Sequence, residues 1–256
     1  MQRINYEKKS VSFSKNVKRW RQDELAALLE VTRVDKHEKY LGLPTEISYS
    51  KTEVFGFLTE RVRKRTQGWR AKTLSAAGKE IMIKAVTQSI PTYVMSCFEL
   101  PKHLCLEMHS LMAKFWWGDK LNVKKIHWLA WEKLCVPKSE GGLGFRNTVH
   151  FNQALLAKQG WRILQNPDSL IDRMYKAKYF PNCGFMEAKG RGKSSSYAWK
   201  SIMHGRELLR KGIRLQIGNG SQAYVWTDPW LPIAHSFRPI SVPMEGLEDL
   251  TTRKRV

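Results

Sequence analysis

The sequence predicts a mainly α-helical protein with a small α+β part at its N-terminus and a β-hairpin near its C-terminus. Three observations carry this expectation. From residue 51 onward, apolar side chains recur at three- and four-residue spacing along most of the chain. Before that, Ser-Val-Ser-Phe-Ser at 10–14 alternates with the two-residue period of a half-buried strand. Near the end, Gly218-Asn219-Gly220 joins Arg214-Leu-Gln-Ile to Tyr224-Val-Trp with the turn chemistry of a hairpin.

A short helix is expected around Leu25, Leu28 and Leu29, followed by Tyr-Leu-Gly-Leu-Pro at 40–44, whose Gly and Pro suit a strand edge. Val54, Phe55, Leu58 and Val62 then form one face of an amphipathic helix, with Arg61, Lys64 and Arg65 on its remaining surface. Gln67-Gly68-Trp69 breaks it. A second helix starts near Ser75–Lys79 and aligns Met82, Val86, Ile90, Tyr93 and Cys97, with Pro91 kinking or splitting it because proline removes a backbone donor. A third, from Pro101, places Leu104, Met108, Leu111, Met112 and Phe115 on a stripe and ends at Trp116-Trp117-Gly118, where glycine suits the C-cap.

Residues 119–147 are irregular, with His127-Trp128, Trp131, Pro137 and a Gly-Gly-Leu-Gly-Phe run at 141–145. Helices resume at about 148–165 (Phe151, Ala154, Leu155, Trp161, Leu164) and at 168–179, the latter opened by Asn166-Pro167-Asp168 as cap and first-turn proline. A Gly/Ser-rich loop from Gly190 precedes a helix from about Tyr197 to Lys211, stopped by Gly212. The last twenty or so residues have no clear pattern.

With 256 residues the chain is long enough for one or two domains with a real core. Its 44 Lys and Arg against 23 Asp and Glu leave a formal charge of +21. The first half holds 24 basic and 13 acidic residues and the second half 20 and 10, so the charge sits on the folded body and not on a polybasic tail. Self-repulsion of that size favours a polyanionic partner, nucleic acid first and anionic membrane second. No stretch approaches the roughly 20 apolar residues of a spanning helix, and the N-terminus lacks the apolar core of a secretory signal. Cys97, Cys105, Cys135 and Cys183 have neither Cys-x-x-Cys spacing nor zinc spacing with the His residues. They read as free intracellular thiols, and the expected location is nucleus or cytoplasm.

No catalytic centre is legible. Two-metal chemistry needs paired carboxylates that can hold two cations about 4 Å apart, and the adjacent acids Asp23-Glu24 and Glu248-Asp249 fall in a surface helix and the unpatterned tail. Asp168 and Asp172 share a helix face in its first turns, where acids favour the dipole. Ala77-Gly78-Lys79-Glu80 is not a P-loop, since Thr73 replaces the first Gly and Glu80 the magnesium-binding hydroxyl. Gly141-Gly142-Leu143-Gly144 reads as a turn, and His103 with Glu107 lacks a third ligand. No catalytic residue, metal ligand, cofactor or small-molecule substrate is therefore expected, and nothing specifies an oligomeric state.

Binding chemistry is richer. Between 61 and 84 lie eight basic residues, Arg61, Arg63, Lys64, Arg65, Arg70, Lys72, Lys79 and Lys84, with one acid and with Trp69 among them. Cations for phosphates and an aromatic ring that can stack are the ingredients of sequence-tolerant nucleic-acid binding. Trp69 is equally a core candidate, because most of the ten tryptophans must be buried. Arg-Val-Arg-Lys-Arg at 61–65 also has the composition of a nuclear import signal.

In order along the chain stand Gln-Arg-Ile-Asn at 2–5, Lys-Ser-Val-Ser-Phe-Ser-Lys-Asn at 9–16, Tyr-Leu-Gly-Leu-Pro at 40–44, Gly-Trp-Arg-Ala-Lys-Thr-Leu-Ser-Ala-Ala-Gly-Lys-Glu at 68–80 and Ile-Pro-Thr-Tyr-Val-Met-Ser-Cys-Phe at 90–98. Phe-Trp-Trp-Gly at 115–118, Ile-His-Trp at 126–128, Pro-Lys-Ser-Glu-Gly-Gly-Leu-Gly-Phe-Arg at 137–146 and Phe-Asn-Gln-Ala-Leu-Leu-Ala-Lys-Gln-Gly-Trp-Arg at 151–162 follow. Lys-Ala-Lys-Tyr-Phe-Pro at 176–181 and Val-Trp-Thr-Asp-Pro-Trp-Leu-Pro at 225–232 complete the series. Through these blocks the chain resembles the reverse transcriptases of plant LINE-type, non-LTR retroelements.

The resemblance implies a palm remnant over 1–50, a helical thumb over 51–118, a helical connection region over 119–212, and a β-hairpin with the truncated start of a C-terminal region over 213–256. The family's aspartate pair is expected upstream of Gln-Arg-Ile-Asn and its zinc segment downstream of Trp-Thr-Asp-Pro-Trp, so neither carries over. Magnesium is expected only for a complete polymerase. A thumb grips template–primer duplex by its backbone without reading sequence. Three readings follow: a non-catalytic remnant that at most binds an RNA or DNA backbone, one piece of an active RNA-directed DNA polymerase whose palm lies elsewhere, or a fragment without function.

Overall fold

The computed structural model describes residues 10–14, 16–34, 39–45, 47, 50–68, 74–118, 125–190, 192, 194–221, 223–233, 237–246 and 249–252. The chain is mainly helical and divides into two units, Met1–Val54 and Phe55–Val256.

In the first unit, β1 (Ser10–Val11), α1 (Arg19–Leu28) and β2 (Thr32–Arg33) make a strand, a crossover helix and a parallel strand, with Ser10 opposite Thr32 and Val11 opposite Arg33. The expected strand over 10–14 is only two residues long, because Val17 N–H returns to the Ser14 carbonyl at 3.0 Å and turns the chain. α1 buries Ala26, while Leu28 and Leu29 are exposed. Tyr-Leu-Gly-Leu-Pro is not one edge strand. β3 (Lys39–Tyr40) and β4 (Leu43–Pro44) pair antiparallel across Leu41 and Gly42, both at positive φ (50° and 80°). Gly42 accepts that conformation without a Cβ penalty, so the chain reverses within two residues.

The second unit carries the core. α2 (Lys51–Gly68) buries Phe55, Leu58, Thr59, Val62 and Thr66 on one face. The two threonine hydroxyls donate to carbonyls within the helix, Thr59 to Gly56 at 2.8 Å and Thr66 to Val62 at 3.0 Å, so neither is an unpaired buried polar group. α3 (Ala76–Ala85) starts on Ser75, whose hydroxyl accepts from Gly78 N–H at 3.2 Å. The expected long stripe to Cys97 is split twice, at Val86 and again at Ile90–Pro91, where proline is expected to interrupt it. A 3₁₀ turn at Thr87–Ser89 and the short α4 (Thr92–Met95) follow, and Tyr93 faces outward. α5 (Lys102–Trp117) buries Leu104, Met108, Leu111, Met112 and Phe115 as expected, and Gly118 closes it in the left-handed region (φ 77°).

α6 (Trp131–Leu134) and a 3₁₀ turn at Lys138–Glu140 lead into the glycine run. Leu143 and Gly144 N–H donate to the carbonyls of Leu134 and Val136, folding the run back over α6. A Cβ on Gly142 would collide with the Val136 carbonyl, so the close approach needs glycine there. Phe145 then stacks on Trp131 at 5.0 Å.

α7 (Thr148–Gln165), α8 (Leu170–Tyr179) and α9 (Tyr197–Gly212) complete the unit. Between them lies a cluster of Ile163, Tyr175, Phe180, Phe185, Ala188, Trp199, Ile202 and Met203, with the Trp199 ring 4.6 Å from that of Tyr179. α8 begins two residues later than expected, because Ser169 supplies the cap at 3.3 Å from Asp172 N–H while Asp168 sits at φ 76° outside the helix. Asp172 accepts from Asp168 N–H at 3.3 Å, the capping role its position implied.

The expected C-terminal β-hairpin is absent among the described residues. Leu215 N–H donates to the Pro229 carbonyl, and Tyr224 makes an isolated antiparallel bridge with Thr251. Asn219 Oδ1 accepts from Ser221 N–H at 3.1 Å, so the Gly-Asn-Gly segment closes on its own side chain and the two β-prone runs find other partners.

Candidate nucleic-acid interface

Because α2 turns its apolar face inward, helical spacing forces Arg61, Lys64 and Arg65 outward at i, i+3 and i+4. All three are exposed and have no ion-pair partner among the described residues. The Arg61 guanidinium lies 5.2 Å over the Phe57 ring, which orients it without neutralising it. Arg65, in the last turn, is favoured by the helix dipole.

The other expected contacts are used differently. Arg63 donates to Glu107 of α5 at 2.7 Å and lies 3.4 Å from Glu60, so its charge is spent inside the protein. Lys84 bonds Glu80 at 2.8 Å and sits 5.8 Å over Phe145. Lys138 reaches the same Glu80 oxygen at 2.7 Å, and these two bonds hold the Glu80 carboxyl below its ordinary pKa. Lys79 donates to the Trp116 carbonyl at 3.1 Å, at the open end of α5. Burial, and then the nearby Lys125 ammonium, lower its pKa. Trp69, Arg70 and Lys72 lie outside the described residues.

Part of the +21 charge is structural. Arg206 is buried and donates through Nη1 to the carbonyls of Phe185 (3.1 Å), Met186 (3.4 Å) and Ala188 (2.6 Å), with Arg210 adding a bond to Met186 at 2.7 Å. In the irregular Lys125-Ile126-His127-Trp128 segment, His127 stacks on Trp117 and Trp128 is exposed, neither of which local pattern signals. Tryptophan burial is also less general than expected: Trp131 and Trp199 are buried, but Trp20, Trp128 and Trp161 are exposed.

The four cysteines are free, and burial raises the Cys105 and Cys135 thiols to about 11. No group of three or more His, Cys, Asp or Glu among the described residues is placed to hold a metal ion. No helix among them is long and apolar enough to cross a membrane.

No protein-family model matches the chain. Over 144 residues, 56% of this chain and 93% of the relative, it is 49% identical to the protein named "Uncharacterized mitochondrial protein AtMg00310" of Arabidopsis thaliana. The chain belongs to the AtMg00310 family. It is also 39% identical over 184 residues to "Putative ribonuclease H protein At1g65750" of the same plant, a match covering 70% of this chain and 29% of that relative. The AtMg00310 family member described here thus spans less than a third of the longer protein, whose named activity belongs to a larger chain.

Proposed function

We propose that this protein is a retroelement-derived, non-catalytic remnant that holds the backbone of RNA or DNA without reading its sequence. The observation that carries this reading is the row of exposed cations Arg61, Lys64 and Arg65 on a helix whose other face is locked into the core. Three positive heads on one rigid face supply the charge that neutralises backbone phosphates, a term that does not depend on base sequence. The +21 charge, the resemblance to the thumb of LINE-type reverse transcriptases and the 39% identity to a protein named for ribonuclease H support the same reading. On it, residues 51–118 correspond to a thumb and 1–50 to the end of a palm, and the protein acts in the nucleus or cytoplasm on a template–primer backbone.

Titration of the full chain with a labelled RNA–DNA hybrid across a salt series tests it. Replacing Arg61, Lys64 and Arg65 together by Gln should flatten the dependence of log affinity on log salt by about 2.7 for a duplex. Binding that ignores salt, or is absent at low salt, overturns the reading.

The 29% coverage of the longer relative favours a second reading, in which this region works inside a larger enzyme. Primer extension or hybrid cleavage by this chain alone, in magnesium, should then yield no product.

A further inference from the structure

A groove of about 610 Å³ is lined by both α7 and α9, a volume within the range of small-molecule sites. Residues with little or no side chain leave that space: Ala154 and Ala157 on α7 and Gly212 on α9. Two aromatic residues border it, Trp161 of α7, which stays 44% exposed, and Phe237. Phe237 sits at φ 54°, a left-handed backbone that a bulky side chain seldom adopts. Its carbonyl accepts from Leu231 N–H at 2.9 Å and its own N–H donates to the Ile233 carbonyl at 3.3 Å, which hold it in that conformation at the edge of the groove. Among the described residues that line the groove, Arg214 alone carries a charge, and it is exposed with no ion-pair partner among them. It lies past the end of α9, whose last turn already sets Arg210 and Lys211 against the negative end of its dipole and whose Leu209 carbonyl accepts from Ile213 N–H at 2.8 Å. The Arg214 guanidinium is therefore not spent on the helix terminus. Aromatic borders, an apolar floor and one free cation are the two chemistries that bind an unpaired nucleotide: a π-face for the base and charge for its phosphate.

We propose that the groove between α7 and α9 takes an unpaired base of single-stranded nucleic acid, stacked on Trp161, with the adjacent phosphate on Arg214. The site rests on the nucleic-acid reading of α2 but adds a preference that the α2 cations do not carry. Bases inside a duplex are already stacked on each other and offer Trp161 no free face. A single strand does. A fatty acid would also suit the apolar floor and the cation, but it gives the two aromatic residues no part that aliphatic ones would not play, and it answers only one charge of a chain at +21.

The test measures, on the full chain over a salt series, affinity for an oligothymidylate strand, for an abasic strand of equal length and for a blunt duplex. The parent should hold oligothymidylate more tightly than the abasic strand. Trp161→Ala should weaken oligothymidylate binding about 5- to 150-fold, the range of one lost base–aromatic stack, with an unchanged salt slope and unchanged abasic-strand binding. Trp161→Phe should restore most of the loss. Ala154→Leu fills the groove from an exposed helical position and should weaken oligothymidylate binding without deleting a ring. Arg214→Gln should lower the single-strand salt slope by about 0.7. Equal oligothymidylate affinity of the parent, Trp161→Ala and Ala154→Leu overturns the proposal. So does laurate that binds the parent, fails to bind Trp161→Ala and leaves strand affinity untouched, since the groove would then belong to a fatty acid. If the Arg61, Lys64 and Arg65 variant meanwhile loses duplex binding, only the groove has failed. The reverse pattern leaves the groove standing and removes the α2 reading, and no binding of any nucleic-acid probe at low salt removes both.

Discussion

Gly205 of α9 lies so close to Ala157 of α7 that a Cβ at position 205 would overlap the Ala157 backbone nitrogen and the Leu156 carbonyl group. The two helices cross here with backbone against backbone. Three residues from Ala157 along the contact, Gly160 lets the Leu209 and Phe185 side chains approach, at 2.9 and 3.1 Å from where its own Cβ would be.

Gly205→Ala should therefore force α7 and α9 apart and cost about 3 kcal/mol, the upper range for overpacking against groups that cannot rotate away. Gly56→Ala in α2, where a Cβ meets nothing within 4 Å, should instead stabilise by about 0.5–1 kcal/mol. Urea denaturation of both variants checks the pair, and a neutral Gly205→Ala would refute the close crossing.

Asn152 is buried in α7 and ties down the chain ahead of α5. Its Oδ1 accepts from Leu100 N–H at 2.8 Å, and its Nδ2 donates to the carbonyls of Met95 (2.8 Å) and Phe98 (2.9 Å). Asn152→Leu removes three hydrogen bonds and strands three backbone groups, so about 3 kcal/mol should be lost. Amide exchange at Leu100 should rise well before that of the α9 amides.

His109 should make the protein acid-labile. Its Nε2 accepts from Thr148 N–H at 3.0 Å, so the neutral ring carries its proton on Nδ1, which is buried with no partner among the described residues. Burial is the main force lowering its pKa to about 4, with His150 adding to the shift and Glu132 opposing it. The unfolded ring titrates near 6.5. Between those values the unfolded chain binds the extra proton, so this stability is complete above about pH 6.5 and falls away as pH drops towards 4, by about 3 kcal/mol in total. Denaturation at pH 7 and pH 4.5 should show a smaller acid loss in His109→Gln than in the parent.

Arg206→Lys should not substitute for arginine. One ammonium cannot span the carbonyls of Phe185, Met186 and Ala188 that the guanidinium reaches from α9, and about 2 kcal/mol should go with the lost geometry. Limited proteolysis should then cut between 180 and 190 more readily than in the parent.

Legibility in the sequence followed the range of the interaction. The inward face of α2, the Ser75 cap and the Gly118 terminus of α5 are all decided within a few residues, and the sequence displays them. α8 starts two residues beyond the position local pattern predicts because Asn166 and Ser169 are both good caps, and Ser169 is the one whose hydroxyl accepts from Asp172 N–H. At the candidate interface the exposed row Arg61, Lys64 and Arg65 follows from periodicity alone. That Arg63 in the same run is consumed by Glu107, 44 residues away, does not.

The sequence by itself determined a mainly helical, strongly basic protein without a legible catalytic centre, because composition and helical periodicity are local quantities. Tertiary structure decided which cations remain for a partner, which glycines carry helix contacts, and that Leu215 meets Pro229 where a hairpin with Tyr224 was expected. The physical reason is common to all three: ion pairs, backbone contacts and strand partners join residues far apart in the chain, and many such pairings satisfy the same local pattern until the core is packed.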